Sequence, residues 1–459
     1  MNKFITPNCE QKCEDTSLWT IGSDVLICGM IHSIRVTKWG GFVVVRKPKG
    51  LLQIVVQNDT SKIYNENDEK ISISDLSREM AVKIAGQVQQ AKIKDPAALN
   101  NSIEISLSTL KVLSTPNTNE VVDLNALKFN DEDSILRYKL DNRQITLRNP
   151  KDISIFKVSS IIVKAFSEYL AKNGFTQIFT PKIVAEGAEG GANVFSLDYF
   201  GKHTYLAQSP QFYKQMCVGV FERVYEVAPA YRAEKHNTSR HLNEYISLDV
   251  EMGFISSQDD VMRLEMGLLK HIIKEVSIRC EHELNILNAT LPSLPDNVPV
   301  YRLSEVHELL YSNNLTTDDH REEPDLAPEE EKAICKYVKD QFGSDFVFVT
   351  HFPSSHRAFY AKDDPSDPSL TLSFDLLMRG IEITSGGQRI HNEDEYKEKM
   401  LKRGMNPENF QFYLDTFKNG MPPHGGFAIG LERITACFLG LSNVKEASLF
   451  PRDINRVTP

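Results

Sequence analysis

The sequence predicts an α+β protein in which a small β-barrel precedes a larger domain of antiparallel strands with helices around them. Short β-branched runs separated by Gly-Gly and Pro-Lys-Gly turns occupy residues 24–56 and predict the barrel strands. Polar and apolar residues alternate through residues 245–254, which is typical of a strand with one buried face. Apolar residues recur at helical spacing after Asp152. The 459 residues exceed one comfortable core, so we expect at least two domains.

The composition excludes several classes of protein. The chain has 41% hydrophobic and 25% charged residues, which is ordinary for a soluble globular protein and unlike a disordered one. No run approaches about 18 apolar residues, and residues 1–19 have no apolar segment of a secretion signal, so we expect neither a membrane span nor export. Seven scattered cysteines favour a reducing, cytoplasmic location.

The predicted small domain covers residues 17–115, after an N-terminal tail at 1–16. Two further strand-like runs, at 80–90 and 105–114, bring the total to about five, and the OB-fold is a barrel of this kind that binds oligonucleotides. The whole chain carries a net charge of −10, yet this region has 12 basic and 9 acidic residues, a net charge of +3. Basic and aromatic residues cluster at its first hairpin: Arg35, Lys38, Trp39, Phe42, Arg46, Lys47 and Lys49. Such a surface suits single-stranded bases, unless Phe42 belongs to the core and the lysines are only solvated.

A polar linker at 116–136 is predicted to separate this domain from a larger one at 137–459. The first helix of the larger domain is predicted to begin with Asp152 as its cap and to end at Asn173-Gly174. Its apolar stripe is either core or a subunit interface, and periodicity does not distinguish the two. The run at 318–332, with eight acidic and two basic residues, is interpreted as a solvated acidic surface.

Several polar residues of the larger domain are candidates for a site. Glu189 lies in a glycine-rich segment, and Pro210 begins a helix that places Gln211 and Lys214 one turn apart. In a hairpin predicted over 224–254, one face carries an arginine, a tyrosine and several acids: Arg232, Glu234, Tyr245, Asp249 and Glu251. Such a face is either a binding site or an ion-pair network open to solvent.

Two segments later in the chain repeat this pattern. Residues 369–391 carry polar residues within apolar strands, namely Asp375, Glu382, Ser385 and Arg389. Residues 425–441 form a glycine-rich strand followed by a helix whose first turn contains Arg433. Glycines allow the backbone to approach a ligand closely, and a helix N-terminus with an arginine favours a phosphate group or a π-face.

Together these segments resemble the class II aminoacyl-tRNA synthetases. YRAEKHNTSRHLNEY (231–245) resembles the second motif of that class, GGFAIGLERI (425–434) resembles the third, and the helix at Asp152 with NGFTQIFTP resembles the degenerate first. Within the class, AQSPQFYKQM, SGGQRIH and LFPRDINRVTP resemble the aspartyl-tRNA synthetases of the archaeal and eukaryotic type. The resemblance implies a class II antiparallel sheet domain flanked by helices, an OB-fold that binds the anticodon, and a homodimer formed through the first-motif helix.

The resemblance also implies the reaction. The carboxylate of L-aspartate attacks the α-phosphorus of ATP and releases pyrophosphate, and the aspartyl group then passes to the terminal ribose of tRNA(Asp). No protein nucleophile is needed, because catalysis depends on positioning and on neutralising phosphate charge, for which Mg²⁺ is the expected cation.

The same resemblance implies residues for four kinds of site. The implied catalytic residues are Arg232 and Arg433. The implied ATP site comprises Arg232, Glu234, Arg240, His241, Leu242, Tyr245, Glu382 and Arg433. The implied aspartate site comprises Glu189, Ser209, Gln211, Lys214, Asp249, Ser385 and Arg389. Within it, Lys214 and Arg389 are expected to form a doubly cationic pocket for the substrate side chain. The implied Mg²⁺ ligands are Asp375, Glu382 and Ser385, and the implied tRNA contacts are His32, Arg35, Phe42, Arg46 and Gln53.

Alternatives remain within and beyond this family. Asparaginyl-tRNA synthetases typically have an apolar residue where Lys214 stands, which argues against that specificity. A paralogue that activates an amino acid without charging tRNA is a second alternative, and the basic barrel argues against it. His32 stands where relatives restricted to tRNA(Asp) commonly have tryptophan. The smaller imidazole favours a relaxed choice in which tRNA(Asn) is charged as well, unless His32 is only a structural residue of the barrel.

Overall fold

A computed structural model of the chain describes residues 19–117, 131–187, 193–316 and 320–459. The chain divides into two compact units, residues 1–130 and 131–459. The predicted tail, most of the predicted linker and the predicted site residue Glu189 lie outside the described residues.

The first unit is a closed β-barrel, which confirms the predicted fold of this region. Its strands are β1 Asp24–Thr37, β2 Gly40–Lys47, β3 Gly50–Gln57, β4 Lys62–Tyr64, β5 Lys70–Ile71, β6 Ala81–Gln90 and β7 Ile103–Ser114. The strand order is β3-β2-β1-β6-β7-β4-β5, and β3 also pairs with β7, which closes a five-stranded barrel. Alternate side chains point inward and form the core, in which Ile31, Val43 and Ile84 are fully buried. A β-bulge at His32 interrupts the pairing of β1 with β2.

The second unit combines strands and helices. Its first half contains α1 Glu132–Asp141, α2 Arg143–Thr146, α3 Pro150–Lys172, β8 Thr176–Gln177, β9 Ile183–Val184, β10 Ser196–Tyr199, β11 Lys202–Leu206, α4 Gln211–Phe221, β12 Arg223–Tyr231, β13 Glu244–Gly253, α5 Gln258–Arg279 and α6 Glu281–Leu287. Its second half contains β14 Val300–Arg302, α7 Leu303–Ser312, α8 Pro328–Phe342, β15 Phe346–Thr350, β16 Asp363–Asp364, β17 Asp367–Thr371, β18 Ser373–Met378, β19 Ile381–Gln388, α9 Glu393–Lys402, α10 Gln411–Lys418, β20 His424–Gly430 and α11 Leu431–Leu439.

An eight-stranded sheet forms the centre of the second unit, in the order β14-β15-β18-β19-β20-β13-β12-β8. Neighbouring strands are antiparallel except at the two edges, where β14 pairs with β15 and β8 pairs with β12 in parallel. Helices α3, α5 and α11 cover one face of this sheet, and Phe166, Leu268 and Phe438 are fully buried there. The predicted antiparallel sheet is therefore confirmed, and its other face is left for polar residues.

The hairpin of β12 and β13 shows how alternation places the polar residues. Leu248 and Val250 of β13 join the core under the helices. Asp249 and Glu251 alternate with them and therefore lie on the opposite face, yet they are 2% and 0% exposed. The alternative of a solvated ion-pair network is wrong for these two acids.

Helix α3 has the predicted end and a different beginning. Its cap is Asn149, whose side chain accepts a hydrogen bond from the Lys151 amide. Asp152, the predicted cap, is instead a buried residue within the first turn, and its carboxylate lies 3.3 Å from Lys139 Nζ. Gly174 follows the helix with a φ of +80°, a conformation that glycine adopts without strain. The apolar stripe of α3 packs into the core of its own unit.

The acidic run was expected to be a solvated surface, and this expectation is wrong for two of its residues. Glu330 and Glu331 are 1% and 8% exposed on the inner face of α8. Both oxygens of Glu331 accept hydrogen bonds from Arg240 at 3.0 Å. The carboxylate of Glu331 is buried because Arg240 pairs with it. Arg240 lies 91 residues earlier in the chain, so the acidic run alone does not reveal the pair.

Two further observations concern the helices and the cysteines. Within the part of the chain that the structure describes, no helix is both long and apolar enough to cross a bilayer. The cysteines at 28, 217, 280, 335 and 437 are free thiols.

Candidate active site

The polar face of the central sheet opens into a cavity with an empty volume of about 680 Å³. The structure brings together all eight residues predicted for ATP on the walls of this cavity: Arg232, Glu234, Arg240, His241, Leu242, Tyr245, Glu382 and Arg433. Six further residues on the cavity wall were not predicted from the sequence: Ser247, Ile383, Ala428, Gly430, Glu432 and Val444. Most of these contribute backbone or apolar surface, for which the sequence carries no distinctive signal.

The segment between β12 and β13 is held by one asparagine. Asn243 Nδ2 donates hydrogen bonds to the carbonyls of Arg232 at 2.6 Å and Glu234 at 2.9 Å. The Arg232 guanidinium lies 5.8 Å from the centre of the Tyr245 ring and 3.8 Å from Glu234. Asn243 therefore fixes the backbone from which these charged side chains enter the cavity.

Arg433, in the first turn of α11, connects two other walls of the cavity. Its guanidinium donates to the carbonyl of Glu382 at 3.0 Å and to the carbonyl of Arg240 at 3.3 Å. Arg240 is itself fixed by Glu331 and by the carbonyl of Gly380 at 3.2 Å. Neither Glu331 nor Gly380 was predicted as a partner of Arg240, because both lie far from it in sequence and their residue types give no sign of the contact.

His241 is the imidazole of this cavity. Its Nδ1 lies 2.6 Å from Thr238 Oγ1, and its Nε2 lies 4.0 Å from Glu234. Burial and the positive charge of Arg433 lower the pKa of His241, although Glu234 opposes them. The ring is therefore neutral at pH 7 and offers a hydrogen bond, not a full charge, until an anion binds beside it.

Asp375, Glu382 and Ser385 lie together on β18 and β19, where Asp375 and Ser385 are cross-strand partners. Arg357, which was not predicted, donates to Asp375 Oδ2 and also to Ser385 Oγ at 3.3 Å. Asp375 Oδ1 is buried and has no hydrogen-bond partner among the described residues. Burial and the charge of Glu382 raise the pKa of Asp375 to about 7, against the effect of Arg357.

This donor set fits a hard cation. Mg²⁺ prefers carboxylate oxygens and keeps some ligands from water or phosphate, and the second oxygen of Asp375 is available beside Glu382. Among the described residues, no group of three or more His, Cys, Asp or Glu side chains is placed to hold a metal unaided. A cation at this point would therefore depend on oxygens from a bound ligand or from water.

The predicted aspartate pocket contains a charge cluster of four buried residues. Lys214 Nζ lies 3.1 Å from Asp249 and 3.3 Å from Glu251. Arg389 Nε donates to the other oxygen of Glu251 at 3.0 Å. Burial would raise the pKa of Glu251, but Arg389 and Lys214 together lower it below its usual value. Asp249 and Glu251 balance the charges of Lys214 and Arg389. The cluster is therefore neutral as a whole, and the expectation of a pocket with two uncompensated positive charges is wrong.

Ser209 and Gln211 lie at the start of α4, beside this cluster. Ser209 Oγ accepts a hydrogen bond from the Gln211 amide at 3.1 Å. Gln211 Nε2 donates to Gln215 Oε1 at 2.8 Å. The helix thus directs Gln211 and Lys214, three residues apart, from the same face.

Three of the five predicted tRNA contacts lie on one outer face of the barrel in the first unit. Cross-strand register puts Arg35 opposite Phe42, and Gln53 two residues from the partner of Phe42, so these three share a face. Phe42 packs edge-to-face on Trp39 at 5.4 Å and is not part of the barrel core. The alternative of a core phenylalanine is therefore wrong.

Two of the predicted tRNA contacts, Arg46 and Gln53, have partners within the barrel. Arg46 forms a two-pronged ion pair with Glu79 at 2.7 and 2.8 Å, and Gln53 donates to Glu104 at 2.7 Å. Burial, with help from the charge of Arg46, lowers the pKa of His32.

Comparison with known protein families identifies the family of this chain. The family described as tRNA synthetases class II (D, K and N) matches residues 136–454. The chain belongs to this family of class II tRNA synthetases, which confirms the resemblance drawn from its motifs. It is accordingly a ligase that takes ATP as a substrate.

Individual relatives narrow this class. The aspartate–tRNA(Asp/Asn) ligase of Thermus thermophilus is 43% identical over 440 residues, which cover 96% of this chain and 97% of that protein. The aspartate–tRNA(Asp/Asn) ligase of Deinococcus radiodurans is 42% identical over 436 residues, which cover 93% of this chain and 97% of that protein. Among solved structures, the asparaginyl-tRNA synthetase from Pyrococcus horikoshii complexed with asparaginyl-adenylate is similar, with a TM-score of 0.84, 29% identity and coverage of 96% of this chain and 97% of that one.

Proposed function

We propose that this chain activates L-aspartate with ATP and transfers the aspartyl group to tRNA. The observation that carries the proposal is the juxtaposition, on one face of the sheet, of the cavity containing Arg232 and Arg433 with the buried cluster around Lys214. The aspartate-specific names of the relatives described above support it.

In the activation step, a carboxylate oxygen of aspartate attacks the α-phosphorus of ATP, and the bond to pyrophosphate breaks. Arg232 neutralises the α-phosphate, and Arg433 and Tyr245 hold the adenine between them. Glu234, Arg240 and His241 bind the remainder of the nucleotide, with Leu242 as an apolar wall. Fixed charges of this kind favour the transition state because they need not reorganise when the phosphate charge shifts.

Asp375, Glu382 and Ser385 hold Mg²⁺ in this proposal. When bound, the cation supplies positive charge to the phosphate oxygens. Arg357 keeps Asp375 and Ser385 in place through its hydrogen bonds to both side chains.

The amino acid is recognised beside this centre. Ser209, Gln211 and Asp249 bind its ammonium group, Ser385 lies beside them, and Lys214 and Arg389 bind its side-chain carboxylate. Glu189, which lies outside the described residues, remains a predicted contact of the amino acid. Aspartate fits better than asparagine because Lys214 Nζ, 2% exposed, has donors only and meets an oxygen in either orientation of a carboxylate. An amide would turn its own donors towards a buried cation or lose that contact.

ATP–pyrophosphate exchange tests the substrate. L-Aspartate should support exchange at least about a hundredfold more efficiently than L-asparagine, because a site built on polar complementarity rejects the wrong group strongly. Equal exchange with both amino acids would contradict the choice of aspartate. Exchange without any charging of tRNA(Asp) would identify the paralogue that only activates an amino acid.

The tRNA partners are proposed to be tRNA(Asp) and also tRNA(Asn). The anticodon face consists of His32, Arg35, Phe42, Arg46 and Gln53, and the shared Asp/Asn name of the relatives supports the wider choice. A tryptophan at the bulge of β1 would fill space that the imidazole leaves, so His32→Trp should reduce charging of tRNA(Asn) more than of tRNA(Asp). Leu26→Trp, 60% exposed at the other end of β1, is the matched control.

Charging assays with both tRNAs measure this directly. If the wild type charges tRNA(Asn) a thousandfold less efficiently than tRNA(Asp), equivalent to about 4 kcal/mol, the relaxed specificity is wrong.

The enzyme is proposed to act as a homodimer in the cytoplasm. Large apolar side chains are exposed on the second unit, including Phe179 at 82%, Val220 at 73% and Phe254 at 70%, and a subunit contact would remove such residues from water. Sedimentation equilibrium should give twice the chain mass of 52.0 kDa, whereas 52.0 kDa would contradict the dimer.

A further inference from the structure

A buried polar network lies behind the predicted ammonium site. Gln215, Tyr396, Tyr413 and His424 are all fully buried, and Gln211 is 3% exposed. Gln215 is the centre of the network: its Nε2 lies 2.8 Å from His424 Nε2 and 3.0 Å from the Tyr396 hydroxyl. Its Oε1 lies 2.8 Å from both Gln211 Nε2 and the Tyr413 hydroxyl.

The position of one proton on His424 sets the direction of these hydrogen bonds. His424 Nδ1 lies 2.9 Å from the carbonyl of Pro422, which can only accept, so Nδ1 carries the proton. Burial lowers the pKa of His424 to about 4, although Glu251 opposes this, so the ring is neutral at pH 7. His424 Nε2 is then a bare acceptor, and the atom of Gln215 that faces it must be the amide nitrogen.

The remaining hydrogen bonds follow from that orientation. With its nitrogen towards His424, Gln215 turns its oxygen towards Tyr413 and Gln211. The two tyrosine hydroxyls are 2.8 Å apart, and because each carries one proton, Tyr413 gives its proton to Gln215 and accepts that of Tyr396. Tyr396 in turn accepts from Gln215 Nε2, so both hydroxyl protons of the network have an acceptor. Gln211 must present its NH₂ group to Gln215, which directs its own carbonyl oxygen away from the network.

We infer that Gln215 is a positioning residue that, anchored by His424, fixes the carbonyl oxygen of Gln211 towards the ammonium group of the amino acid. This rests on the proposed function, in which Gln211 binds that ammonium. A glutamine amide can rotate by half a turn with almost no change of shape. The rotated form would point an NH₂ group at the positively charged ligand, and the buried oxygen of Gln215 would face the oxygen of Gln211 in place of one of its two donors. The network removes this alternative before the substrate arrives.

The test is Gln215→Met, which keeps the length of the side chain and removes both hydrogen-bonding atoms. In ATP–pyrophosphate exchange we expect the KM for L-aspartate to rise about tenfold, because a hydrogen bond to a charged group is lost or reversed, while the KM for ATP changes less than twofold. Gln411→Met is the matched control. Gln411 is also a glutamine on a helix with a partner four residues later, Asp415, but it is exposed, and this variant should not change either constant.

A double-variant cycle separates positioning from simple support of the fold. Gln211→Met removes the amide through which Gln215 acts, so adding Gln215→Met to it should raise the KM for aspartate by less than twofold further. Effects that multiply in the double variant would overturn the inference, and so would an unchanged aspartate KM in Gln215→Met. If thermal unfolding shows that Gln215→Met does not fold, Tyr413→Phe replaces it in the same cycle, with an expected rise of about threefold and the same two overturning outcomes. The wild type reports on the proposed function separately, since exchange that depends on aspartate supports that function whatever the variants do.

Discussion

Lys214 illustrates how a single charge determines the chemistry of a pocket. Its ammonium group lies between Asp249 and Glu251 and is 2% exposed. Removing one member of a buried ion pair leaves its partner as an uncompensated charge, which lowers the free energy of unfolding by about 3–5 kcal/mol.

We therefore expect Lys214→Leu to lower the thermal stability and to reduce aspartate-dependent pyrophosphate exchange at least about a hundredfold, the equivalent of about 2.7 kcal/mol. The KM for ATP should be unchanged. Lys402→Leu, at a lysine whose side chain is 71% exposed, is the control. Exchange by Lys214→Leu within tenfold of the wild type would contradict a role in side-chain recognition.

Glu265 of α5 is a second buried charge, with a different consequence. It is fully buried against the sheet, and burial raises its pKa to about 8 from an ordinary value of 4.5. Between these two values the folded state keeps a proton that the unfolded state has lost. Raising the pH through this window therefore destabilises the fold, by about 1.4 kcal/mol per pH unit for one group.

Glu265→Gln should remove this dependence, since an amide does not titrate in that range. The melting temperature of the variant minus that of the wild type should therefore increase from pH 5 to pH 8. Glu398→Gln, at an exposed position, should show no such trend. A difference that stays constant with pH would mean that Glu265 is ionised throughout in the folded protein.

The site residues that could be predicted lie in short segments whose residue types and spacing are recognisable in the sequence. All eight predicted ATP residues line one cavity, because the hairpin and the glycine-rich strand bring short segments together. Glu331 and Arg357, which fix Arg240 and Asp375, were not reached. Each makes its contact across at least 18 residues of sequence, and a lone acid or arginine in a polar run has no pattern that distinguishes it from a surface charge.

At the scale of elements, β20 shows why a strand at the centre of this sheet is rich in glycine. A Cβ atom on Gly426 would lie 2.1 Å from the carbonyl oxygen of Val250 and 2.3 Å from Glu251 Oε2. The glycine thus leaves the space in which Glu251 meets Lys214 and Arg389. At Gly430 of the same strand, the nearest atoms to an added Cβ lie 3.8 Å away.

Gly426→Ala should therefore lower the melting temperature by several degrees, since overpacking typically costs about 1–3 kcal/mol, and should weaken aspartate activation by displacing Glu251. Gly430→Ala should change the melting temperature by less than one third of that amount. Differential scanning calorimetry measures both, and equal melting temperatures for the two variants would contradict the packing argument.

Elements with one buried face were predicted best. The strands β12 and β13 alternate because one side meets α3 and α11, and that periodicity is visible in the sequence. The cap of α3 was misplaced by three residues because Asn149 and Asp152 are both suitable cap residues, and only the burial of Asp152 beside Lys139 decides between them. The acidic run at 318–332 was interpreted as a solvated surface because the partners of its buried acids, such as Arg240 beside Glu331, lie elsewhere in the sequence.

At the scale of the whole molecule, we propose that the two compact units carry separate tasks. The predicted anticodon face belongs to residues 1–130, and the cavity with Arg433 belongs to residues 131–459. Binding of tRNA and activation of aspartate should therefore respond independently to substitution.

We expect Arg433→Ala to reduce pyrophosphate exchange at least about a hundredfold, since it removes the side chain proposed to hold the adenine and so to position the α-phosphate, while the Kd for tRNA changes less than threefold. Arg35→Ala should have the opposite effect: weaker tRNA binding, with exchange in the absence of tRNA unchanged. Filter binding and exchange assays on both variants measure the four values. A parallel loss of both activities in either variant would contradict the division of tasks.

Arg143 joins the beginning of the second unit to its last segment. Its guanidinium is 2% exposed and donates to the carbonyls of Glu446, Ser448 and Leu449, which lie 303, 305 and 306 residues further along the chain. A ribosome that adds about 5–20 residues per second needs roughly 15–60 s to cover that distance. Throughout that interval the guanidinium lacks these three hydrogen bonds, because the carbonyls that accept from it have not yet been made. The hydrogen bonds of Arg143 therefore form late in the synthesis of the protein. The second unit cannot complete its native contacts until the segment at 446–449 has been translated.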